Sequence, residues 1–573
     1  MASYMYEKVD EMKFSDIKYQ RPDTDAFLSG MDLLIKEFDS ADSAEEQLSL
    51  ISRSDEMLSD LYTMSTIAEI RNTVDTRDSF YEGEKAFFDD FMPVMQAKVQ
   101  ELVEKIVRSP FRSELETELG DVYFINAEMS LKAFSPEIVP LMQEEGALTT
   151  EYQKLYASAK IPFEGKELTV AQLGAYKQSP DRAQRKAAYE AEGRFFDENR
   201  TRFDEIFDKL VKNRTQQAKK LGFDNFVELG YLRQMRNCYT PRDVAVFREQ
   251  IISDVVPMVN KIKEDQKKRI GVDDFKFYDN SFMFSDGNAK PHGTPDELLA
   301  AAKRMYEEMS PQTAEFIDLM FDMELFDVVA KDGKAPGGYC TSLPKYKLPF
   351  VFSNFNGTSA DVDVLTHEMG HAFADYVGER EIKWLSNISP TMEGAETHSM
   401  SMEFLTSPWH HLFFGEDTGK YQLSHAEDAL IFLPYGTMVD HFQEIIYSKP
   451  DMTPDERNAE WAKLEKIYRP YIDFDSLPFY SRGAGWQRQL HIYLYPFYYI
   501  EYCMAQTVAL EFFALHLSDP EDAWKRYLSF VKLGGTKTFV GLVKSVGLKT
   551  PLEKGSIGPI VEELGKWIEK NTI

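Results

Sequence analysis

The chain has 573 residues, 43% of them hydrophobic and 13% aromatic, which suffices for a large core in one elaborate body or two lobes and excludes a disordered or fibrous protein. Its formal net charge of -30 opposes tight binding to nucleic acid or to an anionic membrane, both of which need a basic footprint. Residues Met1 to Lys8 lack the basic start, apolar run and small-residue cleavage site of a secretory leader, and no stretch reaches the roughly 18 apolar residues that span a bilayer, so a cytoplasmic protein is expected.

The first two hundred residues are dense in helical periodicity. Val99, Leu102, Val103 and Ile106 fall on one helix face, as do Phe203, Ile206, Phe207, Leu210 and Val211, and packing rather than chemistry explains such stripes. The three cysteines, Cys238, Cys340 and Cys503, are too far apart in sequence to form a redox or thiolate-zinc motif. Helical patterning lapses where Pro, Gly and Asp cluster, at 271–294 and at 331–349.

After Pro349 the run Phe350-Val351-Phe352-Ser353-Asn354-Phe355 is aromatic and β-branched and ends at Asn356-Gly357, so it reads as a short strand closed by a turn. Thr358 or Ser359 is placed to cap a helix running from about Asp361 to Tyr376, with acidic residues in its first turn. That helix carries His367-Glu368-Met369-Gly370-His371. Histidines at i and i+4 lie about 40° apart around a helix, so both imidazoles reach one tetrahedral ion, while Glu368 is free to hold water. Five residues also match by chance in about one chain in a hundred of this length, so the motif needs a third ligand.

A third histidine six residues beyond the second would fall at Val377, and a glutamate nineteen residues beyond it at Pro390, so neither spacing applies. The following segment, Pro390 to Glu403, reads as a second helix with a carboxylate face through Glu396 and Glu403. Glu396 is the expected third ligand, with Glu393 one turn earlier as its competitor and Glu403 as a partner that orients a ligand. His398 falls on the opposite face and reads as packing.

These residues resemble the thimet oligopeptidase and oligoendopeptidase F family of zinc metallopeptidases, in which His-Glu-x-Gly-His is followed by Glu-x-x-Ser-x-x-x-Glu; Glu396, Ser399 and Glu403 match. The resemblance extends over about residues 200–573 and includes Leu229-Gly230-Tyr231 with Arg236, and the segment Trp486-Gln487, His491-Ile492-Tyr493 and Pro496-Phe497-Tyr498. It implies a mainly α fold: a two-lobed helical bowl with a small β-sheet beside the zinc-binding helix and a deep substrate channel. It also implies an N-terminal helical region at 1–195, a catalytic domain at 196–573, one zinc ion per chain and short peptide substrates.

Peptide hydrolysis needs a donor for the oxyanion. His491, Tyr495, Tyr498 and Tyr502 follow i, i+4, i+7 and i+11, although Pro496 interrupts or starts that helix. The resemblance points to His491 and Tyr498 as oxyanion or substrate contacts, with Tyr502 beside them. Tyr495 follows His491 by four residues where thimet oligopeptidase has five, so it ranks below them as a substrate contact. The strand at 350–355 has two readings, a core strand or an edge strand that pairs with extended substrate through Phe352 and Asn354. Two further readings stay open at this point: a carboxypeptidase that clamps the substrate terminus with Arg482 or Arg488, and a catalytically dead peptide-binding protein.

Overall fold

The computed structural model describes residues 12–573. As expected, the protein is mostly helical, with 70% helix and 4% strand. It divides into two compact units, each built from several stretches of chain. The first takes in Met1–Glu128, Lys290–Thr418 and Leu515–Leu548, and the second Met129–Ala289, Gly419–Ala514 and Lys549–Ile573. Among the described residues no helix is long and apolar enough to cross a membrane.

In the first unit three long helices, Thr24–Ser40, Ala44–Val74 and Ser79–Val107, begin at Asp23, Ser43 and Asp78, whose side chains each accept a backbone N–H of the first turn. Their apolar stripes, including Met31, Leu34, Leu61, Met95, Leu102 and Ile106, close over one another as a core.

Five strands are described. β1 (Ile161–Phe163) and β2 (Lys166–Leu168) form a hairpin in the second unit, and β3 (Phe326–Val329), β4 (Tyr339–Leu343) and β5 (Leu348–Phe355) form a sheet of order β3-β5-β4 in the first. β5 pairs in parallel with β3 and antiparallel with β4. The strand expected at 350–355 is therefore present but central, and the edge-strand reading is corrected: both of its hydrogen-bonding sides are taken. Phe352 is 1% exposed, its ring stacked on Tyr339, and the Asn354 amide donates to the Ala335 and Gly337 carbonyls.

In the second unit the stripe Phe203, Ile206, Phe207, Leu210 and Val211 is fully buried along the helix Arg200–Lys220. A buried charge network crosses the same unit. Arg236 Nε donates to Glu501 Oε1 at 2.8 Å, and its terminal nitrogen donates to the Phe497 carbonyl at 2.6 Å and to Asp440 Oδ1 at 3.3 Å. Arg248 holds the other Asp440 oxygen at 2.6 Å. Removing one member of such a network leaves uncompensated charge in the interior. Arg236→Met is expected to cost about 3–5 kcal/mol, read as a lowered midpoint in chemical denaturation.

Candidate metal centre and its surroundings

β5 leads into the helix Ala360–Glu381 through Asn356 and Gly357, which has a φ of 79°. Ser359 takes the cap position without a side-chain bond. Instead the Asp361 carboxylate accepts the Asn356 and Gly357 N–H groups at 2.8 and 2.7 Å, closing the turn and placing negative charge at the positive end of the helix. The helix outruns its expected end at Tyr376 because Gly378 keeps a negative φ and nothing breaks the chain before Ile382.

His367 and His371 project one turn apart, their rings 5.0 Å apart and nearly perpendicular. The second helix, Met392–Leu405, lies across them and delivers Glu396. Its Oε2 is 3.4 Å from His367 Nε2 and 3.5 Å from His371 Nε2. One donor atom from each of the three lies within 4.8 Å of the others, and no other such group occurs among the described residues. Glu393 is buried on the same helix but is not part of the cluster, and buried His398 packs edge-on against Phe530, its pKa pushed down to about 3 by burial and by His371.

The approach of the two helices depends on Gly370. A Cβ there would stand 2.8 Å from Ser399 Cα, 3.0 Å from Met402 Cβ and 3.2 Å from the His398 carbonyl oxygen. The glycine inside the His-Glu-x-Gly-His motif thus lets backbone meet backbone. The electrostatics are fixed by the same contact. Glu403 Oε1 lies 2.7 Å from His367 Nδ1; a carboxylate can only accept, so Nδ1 carries a proton and Nε2 is the nitrogen that faces the cluster. Ser399 Oγ donates to Glu396 Oε2 at 3.1 Å. Burial would raise the Glu396 pKa, yet the two histidines hold it well below the carboxylate range. Burial likewise disfavours a charged His367, and Glu396 and Glu403 outweigh it, so the site favours positive charge.

Glu368 points between this cluster and β4, where it accepts the Cys340 N–H. Burial raises its pKa, an effect that His367 and His371 partly offset. Asp375, one turn beyond His371, is bonded to Cys340 Sγ at 3.9 Å rather than to the histidine.

The second unit holds the aromatic segment. The helix through His491 ends at Leu494, and the next begins at Ile500, so the single face expected for His491, Tyr495, Tyr498 and Tyr502 does not form. The chain turns at Phe497, whose φ is 69°. That strained turn is clamped from three sides: Arg236 on the Phe497 carbonyl, Gln443 Oε1 on its N–H at 2.8 Å, and the Gln234 amide on the Pro496 carbonyl at 3.0 Å. The Phe497 ring lies over Gly230, where a Cβ would come within 2.4 Å of it. The motif Leu229-Gly230-Tyr231 with Arg236 is the seat of this turn.

As a result Tyr498 stacks on His491, with ring centres 5.5 Å apart, and its hydroxyl lies 2.7 Å from that of Tyr502. Tyr495 is 58% exposed. Two residues that the sequence did not single out hold His491. The Gln489 amide donates to His491 Nδ1 at 2.8 Å, and Tyr435 donates to Gln489 Oε1 at 2.7 Å, which fixes the amide orientation. The His491 proton is therefore on Nε2, and burial keeps the ring neutral by lowering its pKa.

Gly370→Ala is expected to cost about 1–3 kcal/mol through overpacking and to weaken metal retention, since relief means moving Glu396 away. Glu403→Gln replaces a charged, acceptor-only carboxylate at His367 Nδ1 with a neutral amide and should lower metal affinity about 10- to 100-fold. Chelator competition measures both.

Residues 14–134 match the peptidase M3 N-terminal domain, and residues 175–558 match peptidase family M3. Oligopeptidase PepF of Bacillus subtilis is 21% identical over 89% of this chain and 78% of its own. An oligoendopeptidase F homolog of Lactococcus lactis is 22% identical over 88% and 86%. A solved structure described as PZ peptidase A with inhibitor 2 is 46% identical, covers 98% of this chain and 100% of its own, and superposes with a TM-score of 0.91. The chain belongs to peptidase family M3, and its kinship with the oligoendopeptidases F makes it a metallo-endopeptidase.

Proposed function

We propose that the protein is a zinc-dependent endopeptidase that cleaves internal bonds of short unfolded oligopeptides, with one zinc ion per chain held by His367, His371 and Glu396. The observation that carries this reading is the convergence of two imidazole nitrogens and one carboxylate oxygen within 4.8 Å, on a cluster whose His367 already has its other nitrogen engaged by Glu403. Two histidines and one carboxylate, with a fourth position left for water or substrate, suit catalytic zinc better than a closed structural site. Zinc bound there would lower the pKa of a water molecule and polarise the scissile carbonyl.

The protein's own groups do the rest. Glu368 takes the proton of the attacking water on its carboxylate and hands it to the leaving amine nitrogen. His491, neutral with its proton on Nε2, and the hydroxyls of Tyr498 and Tyr502 are assigned as donors to the substrate carbonyl as it gains negative charge. Tyr495 is retained as a substrate contact. The strand contact passes from β5 to β4, an outer strand of the sheet whose Cys340 N–H already touches Glu368. The net charge of -30 fits a cytoplasmic enzyme whose partners are peptides rather than nucleic acid or membrane.

The test is cleavage of an internally quenched oligopeptide with metal content assayed in parallel. Cleavage is expected to stop on chelation, to return with zinc, and to be absent in Glu368→Gln protein that still carries its metal. Full activity of the metal-loaded Glu368→Gln protein contradicts the assignment of the base.

A further inference from the structure

The second unit contains a half-open cavity of about 610 Å³, within the range of ligand pockets. Its walls carry aromatic rings, among them Tyr435 and Trp461, and six charged side chains. Four of these are matched within the wall. Glu465 receives both Nε and a terminal nitrogen of Arg469, at 2.7 and 2.5 Å. Glu192, fully buried, uses one oxygen for Lys177 Nζ at 2.7 Å and the other for the Tyr480 hydroxyl. Asp428, its pKa raised by burial, is set against Lys263.

Arg488 is ion-paired with Glu192 but makes no hydrogen bond to it. Its nearest carboxylate oxygen, on Glu192, lies 3.7 Å from Nε, beyond hydrogen-bond reach, and already serves Lys177. Nε is buried without a hydrogen-bond partner, and the side chain is 35% exposed on the cavity wall. Glu192 first, with Tyr480 and Tyr435, holds its pKa well above the ordinary value, so the charge is permanent. Lys177, Glu192 and Arg488 together carry one net positive charge. By contrast Arg482, six residues earlier, has Asp197 as its partner.

We propose that Arg488 is a carboxylate-binding residue, and that the cavity receives the C-terminal end of a peptide with its terminal carboxylate on the guanidinium. A guanidinium presents paired donors that match a carboxylate, and the aromatic walls suit the side chains next to the terminus. The same chemistry would accept a glutamate or aspartate side chain. The inference rests on short peptides being the substrates, and it adds an anchor for one end of them.

Binding is read by fluorescence anisotropy on metal-loaded Glu368→Gln protein, with and without Arg488→Gln. The probes are one labelled peptide sequence as the free acid, as the C-terminal amide, and as an amide ending in glutamate. The free acid is expected to bind about tenfold tighter than the amide, as a hydrogen bond to a charged group is lost with amidation, and Arg488→Gln should abolish that preference. Tight binding of the glutamate amide as well assigns the anion to a side chain and still supports a carboxylate site at Arg488. Equal affinity of acid and amide on the Arg488 protein overturns the proposal without any Arg488 variant having to fold. Fragment analysis of the same samples reports separately on Glu368, since cleavage there counts against the base assignment and not against the anchor.

Discussion

The contact between two helix backbones at Gly370 is the constraint on which the rest depends. His367 and His371 can share a ligand sphere with Glu396 only if the helix Met392–Leu405 comes close enough for Ser399 Cα to approach the position of a Cβ at 370. Once the helices touch, Glu403 falls beside His367 Nδ1 and accepts a hydrogen bond from it, and Ser399 steadies the Glu396 carboxylate. The buried carboxylates and imidazoles then stabilise one another's charge. Packing comes first, and the electrostatics follow from it.

The second unit solves a similar problem by strain and clamping. Holding Phe497 at positive φ costs energy that Arg236, Gln443, Gln234 and the space over Gly230 offset together. The turn stacks Tyr498 on His491 and sets Tyr498 against Tyr502. The Tyr435 to Gln489 to His491 chain settles which imidazole nitrogen carries the proton. Both units therefore orient a histidine through its Nδ1, with opposite results: a carboxylate acceptor at His367 puts a proton on Nδ1 and turns Nε2 to Glu396, and an amide donor at His491 leaves the proton on Nε2.

Much of this was legible in the chain where the signal is local. The His-Glu-Met-Gly-His spacing, the helix around it and the glutamate face of the next helix are short-range patterns, and the aromatic run before Asn356-Gly357 does form a strand. The sheet position of that strand was not legible, because whether β5 is central depends on β3 and β4 from elsewhere in the sequence. Pro496 marked a break, but the depth of the turn at Phe497 rests on tertiary partners that no local pattern announces. Gln489 stands only two residues from His491, yet nothing distinguishes it without Tyr435, which comes from another helix. At the first turn of the histidine helix, Thr358 or Ser359 looked like the cap; Ser359 takes that position without a side-chain bond, and the Asp361 carboxylate instead closes the turn before it by accepting the Asn356 and Gly357 N–H groups.

The most direct test of the central claim is zinc stoichiometry after exhaustive dialysis in wild type, Glu396→Ala and Glu393→Ala. The account predicts one equivalent for wild type, none for Glu396→Ala and one for Glu393→Ala. Zinc retained by Glu396→Ala, or lost from a folded Glu393→Ala, would contradict it.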